Sequence, residues 1–182
     1  PNYLMPYSKL ASIYVGEGDF EKAELFLRKS VEINSKDINS LVNLSCVLKD
    51  LGKPKEAEEF LRNALEINPM HEIALSNLGA VLNDLEKIDE GEQFLKKVLT
   101  LNPTSPMALN NLGNILTKKK KNKDAELCYR KAIKCKSNFS LAYNNLGSLL
   151  SKQGDLIEAE KFTEKAITYN PKFELAYVNL GS

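Results

Sequence analysis

Hydrophobic residues recur at helical spacing in short segments that polar turns separate. Leu109, Leu112 and Leu116 share one face of a predicted helix, and Ala125 and Ala132 share one face of the next. Turns such as GEGD from residue 16 and LGKP from residue 51 lie between paired segments. Each pair predicts a hairpin of two helices of about 14 residues, a length that is marginal in isolation. We therefore expect neighbouring hairpins to stack and bury their apolar faces together.

The predicted hairpins recur with a fixed period. Six leucines stand 34 residues apart without insertion or deletion: Leu10, Leu44, Leu78, Leu112, Leu146 and Leu180. A small residue follows every one of them: Ala11, Ser45, Gly79, Gly113, Gly147 and Gly181. Small side chains allow helices to approach closely, and Pro69, Pro103 and Pro171 stop three of the units. The period indicates a repeat protein built from one kind of helical unit.

The spacing and these columns resemble the tetratricopeptide repeat family. The predicted units are residues 4–37, 38–71, 72–105, 106–139 and 140–173, and residues 174–182 would form the first helix of an incomplete sixth unit. The resemblance implies an all-α fold, a right-handed superhelical solenoid of stacked antiparallel helix hairpins. First helices would line its concave surface and second helices its convex surface. Gly91 stands in place of the usual alanine and Lys120 in place of the turn glycine, so we expect looser third and fourth units.

Composition limits the classes of partner. Of 182 residues, 43% are hydrophobic and 27% charged, and the formal net charge of +1 provides no field for nucleic acid or an anionic membrane. Apolar runs fall far short of the ~20 residues of a membrane helix, and the N-terminal residues lack a signal-peptide pattern. Three cysteines without a disulfide framework suit a reducing compartment, so we predict a soluble, cytoplasmic protein without cofactors.

An asparagine precedes each of five core leucines: Asn43, Asn77, Asn111, Asn145 and Asn179. At 100° per residue these side chains point away from the core stripe. A primary amide can pair with both the C=O and the N–H of an extended peptide. The superhelix of O-linked N-acetylglucosamine transferase carries a comparable asparagine ladder, so the resemblance implies peptide binding here. In the alternative interpretation these side chains bond to the preceding turn or to the neighbouring repeat.

We predict a peptide-binding set on the first helices, made of the asparagines and of charged residues that share their side. It consists of Asn43, Asn77, Asn111, Asn145, Asn179, Asn110, Asn114, Asn144, Asp50, Asp84, Lys118 and Lys152. Acidic members precede basic members along the chain, which would favour one direction of a ligand with a basic and an acidic end. Ordinary solvated charges are the alternative, because an exposed contact contributes only ~0.2–1 kcal/mol. Ser8, Ile73 and Asn77 stand where a chaperone-tail clamp needs basic residues, so we exclude that ligand class.

Other candidate chemistries receive a structural interpretation. Cys128 and Cys135 are two helical turns apart, but both fall in apolar columns, so we predict core packing and no metal site. His71, the single histidine, is predicted to lie on the surface in a turn. The lysine run 118–121 is predicted to be a solvated turn. No motif indicates a catalytic residue.

The favoured function is a non-catalytic interaction module that binds an extended peptide or partner helix in a concave groove. One alternative is the substrate-recruiting arm of a larger transferase, and another is a self-assembling scaffold. Leu175, Tyr177 and Leu180 would leave an apolar flank on the last helix, so we expect self-association there and a chain that is a fragment of a longer protein. The expected partner is a protein or peptide, with neither nucleic acid nor membrane.

Overall fold

A computed structural model describes the backbone of residues 4–180 and the side chains of residues 7–180. Gly181 and Ser182, the end of the predicted sixth unit, lie outside the described residues. The described chain is entirely helical and contains no strand. Its helices are α1 Leu4–Glu17, α2 Phe20–Ile33, α3 Ile38–Asp50, α4 Pro54–Ile67, α5 Glu72–Asp84, α6 Ile88–Leu101, α7 Pro106–Lys118, α8 Asn122–Cys135, α9 Ser140–Gln153, α10 Leu156–Tyr169 and α11 Glu174–Leu180.

The chain forms two compact units, which are described separately: residues 1–94 form the first and residues 95–182 the second. In the first unit α1 packs on α2 and α3 on α4, while α2 also packs on α3 and α4 on α5. Leu27, Leu44, Leu61 and Leu78 are fully buried in one continuous core. First helices α3 and α5 also contact each other directly. These helices therefore bury their apolar stripes against a neighbouring repeat, as the predicted stacking requires.

In the second unit α7 packs on α8 and α9 on α10, and first helix α9 contacts both α7 and α11. One buried cluster contains Leu109 and Phe139, and another forms around Tyr143. The helices approach closely at two glycines. A Cβ at Gly113 would stand 2.5 Å from the ring of Tyr129, and one at Gly147 would stand 2.4 Å from Thr163 Oγ1. Glycine at these positions admits side chains that larger residues would displace.

The predicted leucine column is buried in the middle of the repeats and exposed at both ends. Leu44, Leu78 and Leu146 are fully buried, and Leu112 is 8% exposed. Leu10 and Leu180, by contrast, are 37% and 40% exposed. For Leu180 this exposure agrees with the apolar flank expected on the last helix. Helices α1 and α11 pack against other helices on one side only within the described residues, and this leaves the other side of each leucine uncovered.

Side chains immediately before two first helices cap their N-termini. Asp37 Oδ2 accepts a hydrogen bond from the backbone N–H of Ser40 at 3.2 Å, and His71 Nδ1 accepts one from the N–H of Ala74 at 3.2 Å. These bonds satisfy donors that have no partner inside the helix. The prediction of a plain surface histidine therefore needs correction, because His71 is a half-buried helix cap.

The turn between the two helices of each hairpin takes one backbone conformation. Gly18, Gly52 and Gly154 have φ of 81°, 71° and 88°. The same position holds Glu86 with φ 60° and Lys120 with φ 59°. A side chain is strained at positive φ, and glycine is not. Lys120, which replaces the usual turn glycine, thus keeps the left-handed turn at a cost in backbone strain.

Candidate functional site

The first-helix face of the first unit carries two accessible ladder asparagines. We use "first-helix face" for the surface that the asparagine column and its +3 and +7 neighbours occupy. Asn43 is exposed, and its side chain makes no hydrogen bond with the described part of the chain. Asn77 is half-buried and donates from Nδ2 to Cys46 Sγ at 3.2 Å. The amide oxygens of both residues therefore remain available to accept a hydrogen bond from a ligand.

A surface cleft of about 170 Å³ opens beside Asn43, between α1 and α3. Helix α3 contributes Asn43, Cys46 and Asp50, which are spaced so that they share one side of the helix. The remaining lining residues are Ser8, Ala11, Ser12, Val15, Leu27 and Val47. Desolvation, together with the Asp50 carboxylate, raises the pKa of the Cys46 thiol, which keeps the sulfur neutral at pH 7 and able to accept the bond from Asn77.

The two acidic residues of the predicted set differ in their partners. Asp50 is exposed and has neither a salt bridge nor a hydrogen bond to its side chain within residues 7–180. Asp84 lies 4.0 Å from the Lys49 ammonium, through Oδ2. The negative charge of Asp50 is thus uncompensated by a direct contact, whereas that of Asp84 is paired across α3 and α5.

Two ladder asparagines of the second unit are bound to the preceding repeat. Asn145 Nδ2 donates to Asn110 Oδ1 and to Asn114 Oδ1, both at 3.0 Å. Asn179 Nδ2 donates to Asn144 Oδ1 at 2.9 Å. Both amide hydrogens of Asn145 are consequently used inside the unit, and its oxygen remains available. The alternative interpretation, bonding to the neighbouring repeat, describes these residues.

Asn110 and Asn144 require a correction. Both were predicted to offer their amides to a ligand, but they are 3% and 1% exposed. They lie at the contact between successive first helices, one residue before the ladder position, and their oxygens accept the bonds from the next repeat. Burial prevents direct contact with a ligand, so these residues position Asn145 and Asn179 instead.

Tyr129 supports the same network from the second helix. Its hydroxyl donates to Asn114 Oδ1 at 2.8 Å and lies 3.2 Å from Thr117 Oγ1. The ring passes over Gly113, where a Cβ would clash with it. Burial raises the pKa of Tyr129 to about 12, so it stays a hydrogen-bond donor at neutral pH. Tyr129 was not predicted from the sequence, although a tyrosine in the column of Leu27 and Leu61, paired with glycine, was a usable signal.

The remaining predicted site residues differ in accessibility. Asn111 is 8% exposed, and its Oδ1 lies 3.4 Å from Asn110 Nδ2. Asn114 is half-buried and accepts bonds from Asn145 and Tyr129. Lys118 and Lys152 are exposed at the ends of their helices. Within the second unit the face therefore offers exposed ammonium groups and amide oxygens, and few amide donors.

Ion pairs join the second helix of one repeat to the next repeat. Arg62 bonds to Glu58 in its own helix and to Glu90 in α6, at 2.7 and 2.6 Å. Lys87 reaches back to Glu58 at 2.8 Å. Although partial burial alone would raise it, hydrogen bonds from Lys87 and Arg62 hold the pKa of Glu58 below its ordinary value. Sequence spacing indicates only the pair within the helix, because the link between repeats depends on how the hairpins stack.

The cysteines do not form a core column. Cys135 is exposed, as are Ile33 and Ile67 at the same position of other repeats, whereas Cys128 is half-buried. The prediction that Cys135 packs in the core was wrong, because the last residue of the second helix is exposed in this repeat as it is at Ile33 and Ile67. Among the described residues no group of three or more histidine, cysteine or acidic side chains is arranged to hold a metal ion.

The hydrophobic stretches of the described helices are short. None of the helices formed by residues 4–180 has both the length and the apolar character needed to cross a membrane.

The fold is shared with proteins of known structure. A thermophilic TPR protein from Thermus thermophilus, TTC0263, is 17% identical, with 98% of this chain and 97% of that chain covered and a TM-score of 0.89. Pseudomonas aeruginosa pilF is 24% identical over 97% of this chain and 80% of its own, with a TM-score of 0.73. YrrB, described as a TPR protein with an unusual peptide-binding site, is 21% identical over 97% and 91%, with a TM-score of 0.60. No curated protein sequence matches the chain.

Sequence models of the tetratricopeptide repeat match the chain between residues 6 and 161. One model matches residues 6–37, 38–71 and 74–105, a second matches residues 106–139, and a third matches residues 128–161. The first alone covers more than half of the sequence. The chain therefore belongs to the tetratricopeptide repeat family.

Proposed function

We propose that the protein is a non-catalytic module that binds an extended peptide segment along its first-helix face. Tetratricopeptide repeats and the structures that share this fold support a protein-interaction role in general. The observation that carries the finer proposal is that the amide oxygens of Asn43 and Asn77 in the first unit, and of Asn145 in the second, accept no hydrogen bond from the described chain. An extended backbone presents N–H groups that such oxygens can accept. A ladder similar to that of O-linked N-acetylglucosamine transferase remains part of this proposal.

The two units would contribute differently to such binding. Asn43 offers both amide hydrogens and its oxygen, so it can pair with a peptide C=O and N–H together. Asn145 offers only its oxygen, because both of its hydrogens bond to Asn110 and Asn114. The first unit would therefore both donate hydrogen bonds to peptide C=O groups and accept them from peptide N–H groups, whereas the second would only accept them from peptide N–H groups.

The test is a peptide-array screen followed by affinity measurements with asparagine variants of the first unit. Asn43→Ala with Asn77→Ala should lower the affinity of selected peptides, since two backbone contacts are lost. Asn63→Ala, an exposed asparagine on second helix α4, is the matched control. Replacing all five ladder asparagines is unsuitable, because Asn145 and Asn179 also join repeats. Equal affinity of the double variant and the control would refute the proposal.

We also propose self-association through the last helix as a second role. The apolar side chains of Leu175, Tyr177 and Val178 on α11 are each at least half exposed. Exposed apolar side chains at neighbouring positions favour protein contact. Sedimentation velocity over a concentration series, with Leu175→Ser and Val178→Ser together as the variant, tests this role. A wild-type sedimentation coefficient that does not change with concentration would exclude it.

A cytoplasmic location completes the proposal. It is supported by the odd number of cysteines, all three of which are free thiols, an arrangement typical of proteins from reducing compartments. Localisation of a tagged full-length protein by microscopy is the direct measurement.

A further inference from the structure

The cleft between α1 and α3 has the chemistry of a side-chain pocket. Its polar rim on α3 consists of Asn43, Cys46 and Asp50, and Ala11, Val15, Leu27 and Val47 supply apolar surface. One carboxylate and no basic side chain stand among its lining residues. Apolar walls with a single charged group at the rim suit an occupant that has an aliphatic stem and an opposite charge at its tip.

The charge balance around Asp50 indicates a cation. The carboxylate is exposed, and no lysine or arginine of the described chain contacts it. Two lysines on neighbouring turns are already engaged, Lys49 with Asp84 and Lys53 with Glu24. Asp84 and Glu24 therefore each have a lysine partner, whereas Asp50 has none among the described residues. The amide oxygen of Asn43 is a second acceptor on the same side of α3.

We propose that this cleft receives a lysine side chain of the bound peptide, with the methylene stem on the apolar wall and the ammonium group at Asp50. Lysine matches the lining through its aliphatic stem and its single ammonium group at Asp50, and the lining contains no aromatic face on which a guanidinium could stack. This inference rests on the proposed function, which it deepens by assigning one specificity-determining position. The ligand is thus a peptide with a lysine at the residue that passes Asn43.

The first experiment uses a small probe and does not depend on a peptide. Nitrogen-15-labelled protein is titrated with Nα-acetyl-lysine N-methylamide and followed by NMR. The side-chain amide signals of Asn43 and the backbone signals of residues 46–50 should shift, and the Nε-acetylated probe should shift them much less. Asp50→Asn should weaken binding about two- to fivefold, the effect of one exposed ion pair. Glu59→Gln, an exposed carboxylate on α4, removes the same charge and should leave binding unchanged.

The possible outcomes distinguish the lysine pocket from peptide binding along the first-helix face. Equal shifts with both probes, no shifts, or an unchanged affinity of Asp50→Asn would overturn the lysine pocket. In a second experiment, peptides selected on an array are compared with versions whose lysines are Nε-acetylated. Peptides that bind through Asn77 and tolerate both acetylation and Asp50→Asn would leave the peptide-binding function intact and refute the pocket. Binding of the lysine probe without any peptide hit on the array would support the pocket and refute the peptide-binding function.

Discussion

The two units carry the same asparagine column with different neighbours beneath it. In the first unit, the residue 35 positions before Asn77 is Val42, which offers no side-chain acceptor. The amide of Asn77 bonds instead to the sulfur of Cys46 at 3.2 Å. Asn145 of the second unit has Asn110 at that position and makes two amide bonds of 3.0 Å. Sulfur is a weak acceptor, whereas an amide oxygen is a strong one. Two residues of the preceding repeat, 31 and 35 positions earlier, thus set how many amide hydrogens a ladder asparagine uses to join the repeats.

The residues packed where the two helices of a hairpin cross also differ between the units. The first unit has Ala11, Ser45 and Gly79 in the small column, and Leu27 and Leu61 in the facing column. The second unit has Gly113 and Gly147, with Tyr129 and Thr163 in the facing column. The larger or polar partner in the second unit occupies the space that a Cβ would need. The same fold therefore fills one position in two ways, and only one of them brings a hydroxyl to Asn114.

The largest expected effect comes from adding a methyl group at Gly147. A Cβ would stand 2.4 Å from Thr163 Oγ1 and 3.0 Å from the backbone oxygen of Ala159, which cannot rotate away. We expect Gly147→Ala to lower the free energy of unfolding by about 1–3 kcal/mol. Urea denaturation followed by circular dichroism measures the change. Ser45→Ala, in the same column of the first unit, creates no clash but removes the bond from the buried Ser45 hydroxyl to the Val42 carbonyl, so we expect a loss of about 0.5–1.5 kcal/mol.

A compensating pair sharpens this prediction. Gly113→Ala alone should destabilise the second unit because its Cβ meets the Tyr129 ring at 2.5 Å. Combined with Tyr129→Leu, it recreates the residue types of the first unit and should recover part of the loss. A double variant as unstable as the sum of both single variants would show that the facing pair is not the cause.

The next effect concerns the ion pairs between repeats. Glu58 in the first unit is almost buried and bonds to both Arg62 and Lys87. Glu158 in the second unit is more exposed and pairs with Arg130. We expect Glu58→Gln to cost about 1–2 kcal/mol and Glu158→Gln less than about 0.5 kcal/mol. Urea midpoints at pH 7 measure both changes, and equal costs would contradict the comparison.

The contribution of Glu58 to stability should also depend on pH. The folded-state pKa of Glu58 is lowered, so its contribution is present above the ordinary glutamate pKa and is lost as the pH falls through the lowered value. The difference in stability between wild type and Glu58→Gln should therefore shrink below about pH 4. A difference that is constant from neutral to acidic pH would indicate that the glutamine acts through packing and not through charge.

Periodicity was sufficient to predict the repeat fold but not the role of each polar residue. The 34-residue leucine spacing predicts the all-α tetratricopeptide fold, which the structure and the family models confirm. The direction of the asparagine column also follows from helical geometry. The burial of Asn110 and Asn144 does not, because a residue one step from the ladder is exposed on a single helix and becomes covered only when the next repeat packs on it. The same reason hides Tyr129, whose hydroxyl reaches Asn114 from the second helix.

A smaller effect tests the ladder directly. Asn145→Ala removes two amide bonds and leaves the buried oxygen of Asn110 without its donor, so we expect a loss of about 1 kcal/mol. Asn43→Ala removes no hydrogen bond and replaces a modest helix former by alanine, so stability should stay equal or rise by up to about 0.7 kcal/mol. Urea midpoints distinguish the two. A loss at Asn43 equal to that at Asn145 would mean that both asparagines are structural, and the groove proposal would lose its support.

The smallest effect lies in the turns between paired helices. Lys120 in the second unit has φ 59°, where Gly52 of the first unit has φ 71°. An L-residue with a side chain is strained in this conformation, whereas glycine adopts it without strain but has more freedom to lose on folding. Because the two terms oppose each other, Lys120→Gly should raise the free energy of unfolding only slightly, by about 0.5–1 kcal/mol. The converse change, Gly52→Lys, should lower the free energy of unfolding by a similar amount. Lys120→Gly, however, also removes one positive charge from the lysine run 118–121. A Lys120→Met variant separates these contributions, since it removes the charge and keeps the strain. If methionine stabilises the protein as much as glycine does, repulsion within residues 118–121, and not backbone strain, distinguishes the turns of the two units.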